Sequence, residues 1–488
     1  MKISRRDLLI VTVAAVSVVF YARTTGGFPL DDAWIHQTYG RNLGLTGHWE
    51  YVPGVPSAGS TSPFYTLLLA LGYFLRIPPF AWTHGLGAAA LALAGLTGAR
   101  LADRLFPEVR GVGLFTGLAL VTAWHLVWAA VSGMETTLFG ALTLLILLLA
   151  GLEKTGSQKA LFRSGALFGL VGAALIATRP EGVLPVGLVV GLRIVRTRWL
   201  ALPWVGGALL GGLVGIAPYL LLNLSLNGTI LPNTFSAKQA EHAPLLQQPF
   251  PVNLWAMVQP LTAGGQIALV PGMLWAVFVL IRRRDWLALA PALWGIGLIL
   301  LYALRLPAYY QHGRYVIPAL PALIVIGIGG TLLIVQAARR HWWSRVAVRS
   351  LAAAAFILFL VFWINGASYY VQDVKAINSD MVVTALWLAQ NIPPDDLLAV
   401  HDIGAVGYFA PRPILDLAGL VSPEVIPIIR DPDALMALMR ARGVRYLMML
   451  PDQRPTPPDD PRLCERFNAH GGMGGMIVYA IVWDGHCP

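Results

Sequence analysis

The chain has 488 residues, 56% of them hydrophobic and only 12% charged, with a mean hydropathy of +0.65. That composition excludes an ordinary soluble globular protein and identifies a polytopic membrane protein. The net charge of +10 does not point to nucleic acid, because the basic residues fall in short clusters between apolar runs, the pattern of loops kept on the cytoplasmic side of a membrane.

The chain opens with Lys2, Arg5 and Arg6 before an apolar run. This resembles a twin-arginine export signal, but no small-residue cleavage site follows, so the first helix is expected to remain as an anchor with its positive end in the cytoplasm. Apolar runs predict spanning helices over residues 7–23, 80–101, 111–131, 136–152, 162–178, 182–195, 201–222, 266–281, 286–304, 316–336 and 350–370. The run from Pro63 to Ile77 is shorter and ends against Pro78-Pro79, which suits a helix lying along the interface.

Charge parity supports that assignment. If 63–77 does not span, one side holds Lys2, Arg5, Arg6, Arg100, Arg104, Arg110, Lys154, Lys159, Arg163, Arg193, Arg196, Arg198, Arg282, Arg283, Arg284, Arg339, Arg340, Arg345 and Arg349. The other side holds Arg23, Arg41, Arg76, Arg179, Lys238, Arg305 and Arg314. If 63–77 spanned, every later loop would invert and the asymmetry would be lost. The predicted fold is a polytopic α-helical bundle of about eleven spans, residues 1–370, with an outer loop over 24–79. A small extracytoplasmic α/β tail follows over 371–488.

In the tail, Met381–Gln390 and Ala434–Arg442 have helical periodicity, while Leu397–Val400, Val444–Leu450 and Ile477–Trp483 read as strands. The two cysteines, Cys464 and Cys487, both fall in this tail. On the oxidising side of the membrane they are candidates for a disulfide, with two unpaired thiols as the alternative.

The polar residues at the membrane edge gather on the outer side. The first are Asp31 and Asp32, in the run Phe28-Pro29-Leu30-Asp31-Asp32-Ala33-Trp34-Ile35-His36. Two adjacent carboxylates are costly unless a cation or partner holds them. Ser132-Gly133-Met134-Glu135-Thr136, Thr178-Arg179-Pro180-Glu181-Gly182, Leu231-Pro232-Asn233-Thr234-Phe235-Ser236-Ala237-Lys238 and Tyr309-Tyr310-Gln311-His312-Gly313-Arg314-Tyr315 follow. Acids and bases converging on one face suit an anionic substrate, such as a phosphate on a lipid. Each residue also has a plainer reading. Asp31 can cap a helix that starts at Ala33, and Glu135 and Glu181 are favourable near helix starts. His36 suits a polar interface, Arg179 and Arg314 can anchor at the surface, and Lys238 can simply be solvated.

The order of these runs resembles the GT-C glycosyltransferases, which take sugar from a polyprenyl-phosphate donor. The closest likeness is to the bacterial branch of terminal arabinofuranosyltransferases. Gly59-Ser60-Thr61-Ser62-Pro63-Phe64, His401-Asp402-Ile403-Gly404-Ala405-Val406-Gly407-Tyr408-Phe409 and Asp416-Leu417-Ala418-Gly419-Leu420 share the likeness. The aminoarabinose transferases of lipid A and the protein O-mannosyltransferases are more distant by architecture. The tail shows no β-sandwich pattern of a carbohydrate-binding module.

The resemblance implies an inverting transfer to an acceptor hydroxyl of an envelope glycan, lipid or protein, at the outer face of a bacterial inner membrane. It makes Asp31 or Asp32 the general base. Lys238, Arg179 and Arg314 become candidates to hold the donor phosphate, with Glu181 and His312 in support. A divalent metal, Mg²⁺ or Mn²⁺, would be held by Asp32, Glu135 or His36. Two other classes compete. A flippase for lipid-linked sugars would need polar residues deep in the spans and access from both faces, and a non-catalytic envelope scaffold would work through its tail.

Overall fold

The computed structural model describes residues 4–23, 26–151, 157–230, 232–338, 342–485 and 487. Lys2, Lys154, Leu231, Arg339 and Arg340, which enter the charge count or the motifs above, lie outside them. Among the described residues seven helices are long and apolar enough to cross a membrane: Pro79–Leu105, Gln158–Thr178, Leu202–Leu226, Gly265–Arg282, Trp286–Arg305, Tyr310–Ala337 and Trp342–Asn391. Val112–Thr122 and Trp124–Val131, bent by 52° at their junction, make an eighth span together.

Three expected spans are shorter or more charged: Arg5–Ala22, Thr136–Ala150 and Val183–Thr197. Their ends nonetheless lie at opposite poles of the bundle. At one pole Arg6 meets Asp103 at 2.5 Å and Arg100 donates to Asp7 at 3.3 Å. There Arg104 donates to the Leu148 carbonyl at 2.7 Å, Arg193 to the Ala150 carbonyl at 3.2 Å, and Arg283 pairs with Glu108. These are the clusters that the charge count assigns to one side. At the other pole, residues preceding the same helices, Glu135 and Glu181, meet Arg179. All eleven expected spans therefore have a helix in place.

The interfacial helix, Pro63–Phe74, does not reach the basic pole. Its 12 residues extend about 18 Å, short of the roughly 30 Å hydrocarbon core. Both ends are tied at the pole that holds Glu135, Arg179 and Glu181. Ser62 Oγ donates to the Thr178 carbonyl at 2.7 Å, and Tyr73 Oη donates to Gln37 Oε1 at 2.7 Å.

The last span runs unbroken through residue 370 from Trp342 to Ile377, then through a π-helical turn, Asn378–Val382, into Val383–Asn391. The turn carries buried Asp380, which accepts from the Met473 and Met476 amides at 2.8 and 3.0 Å and so ties the tail to the span. The tail sheet runs in the order Ile414–Asp416, Leu398–Val400, Tyr446–Met449, Ile477–Ile481, Leu463–Asn468. Its first three strands are parallel and its last two pairings antiparallel. Cys464, in the edge strand, is joined to Cys487 in a disulfide with a Cα–Cα separation of 5.4 Å.

Besides the Asp380 tie, the tail meets the bundle through a short helix, Gly404–Phe409, laid on the helix Asp31–Thr46, called the outer helix from its expected side. Asp31 accepts from the Gly404 amide at 2.6 Å and the Ala405 amide at 2.8 Å. At the far end Arg41 donates to the carbonyls of Tyr408 and Gly407 at 2.7 and 3.1 Å. An acid at the amino end and a base at the carboxyl end complement the helix dipole and satisfy its orphan backbone groups. The approach requires glycine, since a Cβ on Gly404 would stand 2.0 Å from the Asp31 carbonyl oxygen. Gly404→Ala should therefore undock the tail. Hydrogen exchange over 404–409 is expected to accelerate by about 10-fold or more, and unchanged exchange would contradict this account of docking.

Candidate active site

Adjacent residues on a helix point about 100° apart, so Asp31 and Asp32 cannot face the same place. Asp31 faces the tail helix. Burial and the nearby Asp402 push its carboxyl up to about 7 against the pull of its two amide donors. Asp31 is the first residue of the outer helix and caps the tail's helix, rather than a helix beginning at Ala33. Asp32 faces a cavity of about 640 Å³. The expectation that either aspartate serves as base thus narrows to Asp32, because both oxygens of Asp31 are engaged in the clamp.

Asp32 Oδ2 lies 2.5 Å from Arg314 Nη1. Burial alone would raise its carboxyl, but Arg314, Lys238 and His36 together pull it down to about 2. Arg314 is presented by a turn in which Gln311, His312 and Gly313 have φ of 54°, 58° and 71°. Two non-glycine residues in this left-handed region cost of order 1–2 kcal/mol each.

One turn along the outer helix, His36 Nε2 lies 3.2 Å from Glu135 Oε2. Glu135 is set by the turn at Ser132–Met134, whose Gly133 has φ of 77° and packs so tightly that a Cβ would stand 2.7 Å from the Phe28 ring. The other oxygen of Glu135 meets Arg179 at 3.4 Å, and Arg179 meets Glu181 at 3.4 Å. Arg179 also donates to Tyr302 Oη at 2.8 Å, and the Tyr302 hydroxyl donates to Glu181. Tyr315 joins the two halves. Its ring stacks on Tyr302 and has the guanidinium of Arg314 at 4.9 Å and that of Arg179 at 5.7 Å, close enough for cation–π attraction.

Asp32, His36, Glu135, Arg179, Glu181, Lys238 and Arg314, all expected from the sequence, line this one cavity. His312 does not. It lies across the strained turn, with Nε2 2.8 Å from Asp373 Oδ2 and its ring edge-on to Trp124 and Trp128. The left-handed turn that presents Arg314 sends His312 to the long last helix, outside the cavity lining.

The three residues expected as metal ligands each have other partners here. Glu135 lies between His36 and Arg179, while Asp32 faces Arg314. Among the described residues no group of three or more His, Cys, Asp or Glu side chains is placed to hold a metal ion. Guanidinium groups already supply the countercharge beside these carboxylates, so the residues present do not fit a metal bound by Asp32, Glu135 and His36.

Two features were missed by sequence reasoning. Tyr302 and Tyr315 hold the arginines in place, although from sequence they read as ordinary membrane-interface aromatics. Arg305, exposed at the end of its span, lines the cavity and has no ion-pair partner among the described residues. From sequence it looks like a snorkelling anchor. Glu181 Oε2 and Arg314 Nε are buried without a hydrogen-bond partner among the described residues, as groups awaiting a ligand are.

A family model described as a domain of unknown function (DUF8728) matches residues 369–479, the tail. A search of curated protein sequences finds no match. Among solved structures, ArnT from Cupriavidus metallidurans bound to undecaprenyl phosphate is 18% identical at a TM-score of 0.59, over 99% of both chains. The oligosaccharyltransferase of Archaeoglobus fulgidus, in complex with Zn and sulfate, is 12% identical at 0.62 over 90% of this chain and 67% of its own. The mycobacterial arabinofuranosyltransferase AftD is 19% identical at 0.51, where this chain covers 40% of that longer one. The fold of this chain is thus the GT-C fold that these membrane proteins share.

Proposed function

We propose that this protein is a membrane glycosyltransferase that moves a sugar from a polyprenyl-phosphate donor to an acceptor hydroxyl. The observation that carries the reading is Asp32. It is an ionised carboxylate facing a membrane-edge cavity that also holds Arg179, Lys238, Arg305 and Arg314. The fold shared with ArnT, whose structure holds undecaprenyl phosphate, supports the same donor class. The positive-inside pattern supports a site on the outer face of a bacterial inner membrane, with the N-terminus cytoplasmic and residues 371–488 as an outer domain. The acceptor is an envelope glycan, lipid or protein.

In the proposed step the acceptor oxygen attacks the sugar's anomeric carbon on the face opposite the phosphate, inverting its configuration. The acceptor's proton passes to Asp32. The bond from the anomeric carbon to the phosphate oxygen breaks, and polyprenyl phosphate leaves with the electron pair. Phosphate is a good leaving group and needs no acid, but its charge needs cations in a site of low dielectric. Arg305, without an ion-pair partner among the described residues, is placed to meet it, with Lys238 and Arg314 lining the same cavity. A carboxylate held near 2 is a weak base, so Asp32 takes the proton late, once the new bond to the sugar has acidified the hydroxyl.

Asp32→Asn should lower the transfer rate by about 10²- to 10⁴-fold in a membrane assay with an undecaprenyl-phosphate sugar donor. Asp31→Asn should mainly loosen the tail; equal loss from both variants would contradict the division of roles. Because Asp32 is charged throughout the neutral range, the rate should show no loss from its titration between about pH 5 and 8. Arg305→Ala should weaken undecaprenyl phosphate binding by about 10-fold, measured by titration in detergent; unchanged affinity would remove Arg305 from the phosphate site.

A further inference from the structure

We infer that His401, in the tail, is a positioning residue for Lys238 of the cavity and acts through Glu241. Lys238 lies on a short helix, Asn233–Glu241, in the loop between two spans. Glu241 closes that helix and holds charged groups on both of its oxygens. Its Oε2 lies 3.0 Å from Lys238 Nζ, and its Oε1 lies 3.7 Å from His401 Nε2. His401 follows the central parallel strand of the tail sheet. Its other nitrogen lies 3.4 Å from Asp402 Oδ2, which accepts from Gln453 Nε2 at 2.8 Å.

Other contacts fix the same helix to the tail. It packs on the turn Pro423–Ile428, and its Ala237 is fully buried. His242, just after it, is 3.8 Å from Glu241 Oε2 and 3.2 Å from Tyr310 Oη. Burial alone would lower the His401 imidazole, but Asp402 and Glu241 push it up to about 9. The imidazole is therefore a cation at neutral pH, and Glu241 is held between two cations at fixed places. Lysine has a long, flexible stem with a compact charge. Glu241 is the carboxylate that meets Lys238 directly, at 3.0 Å, and so fixes where along its reach the ammonium sits. The tail thus sets the geometry of a cavity whose lining comes almost entirely from the bundle.

This inference rests on the proposed donor site, and one experiment separates the two. Binding of undecaprenyl phosphate is titrated to the full-length protein and to Lys238→Ala, Glu241→Gln, His401→Ala, His401→Lys and the double variant Glu241→Gln/His401→Ala. Lys238→Ala is expected to lose about 10-fold or more in affinity, as are Glu241→Gln and His401→Ala. The double variant should lose no more than either single one, because both break the same chain of contacts. His401→Lys, which keeps a cation facing Glu241, should recover most of the affinity, which a tail-folding defect would not allow. If the full-length protein does not bind undecaprenyl phosphate, the donor-phosphate reading fails; if it binds but Lys238→Ala binds equally well, the positioning role of His401 is overturned. If Lys238→Ala is weakened but Glu241→Gln and His401→Ala are not, or if their losses add, the positioning role of His401 is overturned. Should His401→Ala fail to fold, Glu241→Gln makes the same measurement from the bundle side.

Discussion

The contact that aligns the site with the tail is one carboxylate, Asp31, closing the amino end of a six-residue helix that belongs to the tail. So short a helix has no stability of its own. It exists because the outer helix supplies Asp31 at one end and Arg41 at the other. Fixing Asp31 also fixes its neighbour, because helical geometry then leaves Asp32 one direction, into the cavity. The dock for the tail helix and the direction of Asp32 are thereby both set by the first turn of the outer helix. The two adjacent acids tolerate each other because each has its own partners: backbone amides for Asp31 and a guanidinium for Asp32.

The site is built by pairing charges that would be prohibitively costly alone at the membrane edge. Glu135 and Glu181 meet Arg179, Asp32 meets Arg314, and Glu241 meets Lys238. Tyr315 lies between the two arginines and links the groups into one network. Such an arrangement offers fixed positive charge without a metal ligand set built from Asp32, Glu135 and His36. It also leaves Arg305 as the cation with the least to lose by meeting an anion.

Much of this was legible from the sequence, and the limits have physical causes. Apolar runs place a helix at each of the eleven expected spans, and among the described residues seven of these, or eight with the bent pair, are long and apolar enough to cross a membrane. The tail strands at 398–400, 446–449 and 477–481 show in their β-branched and aliphatic runs. Ile414–Asp416, only three residues beside Pro411 and Pro413, does not show, and neither does the polar edge strand Leu463–Asn468. The helix Gly404–Phe409 reads as a glycine-rich loop, since its helicity is imposed by Asp31 and Arg41. The charged residues of the cavity were identifiable by their place at span ends. Their partners were not, because pairing depends on which loops meet. The place of His312 was not legible for the same reason: only the left-handed turn at 311–313 shows that it and Arg314 face different partners.

The central claim is that Asp32 and the cavity cations face the phosphate and the reacting sugar of a polyprenyl-linked donor. The most direct measurement is an electron cryo-microscopy structure of the full chain with undecaprenyl phosphate. The account predicts phosphate density in the cavity, within reach of Arg305, Lys238 and Arg314, with room toward Asp32 for a sugar. Phosphate density outside this cavity, with the cation cluster unchanged, would contradict it.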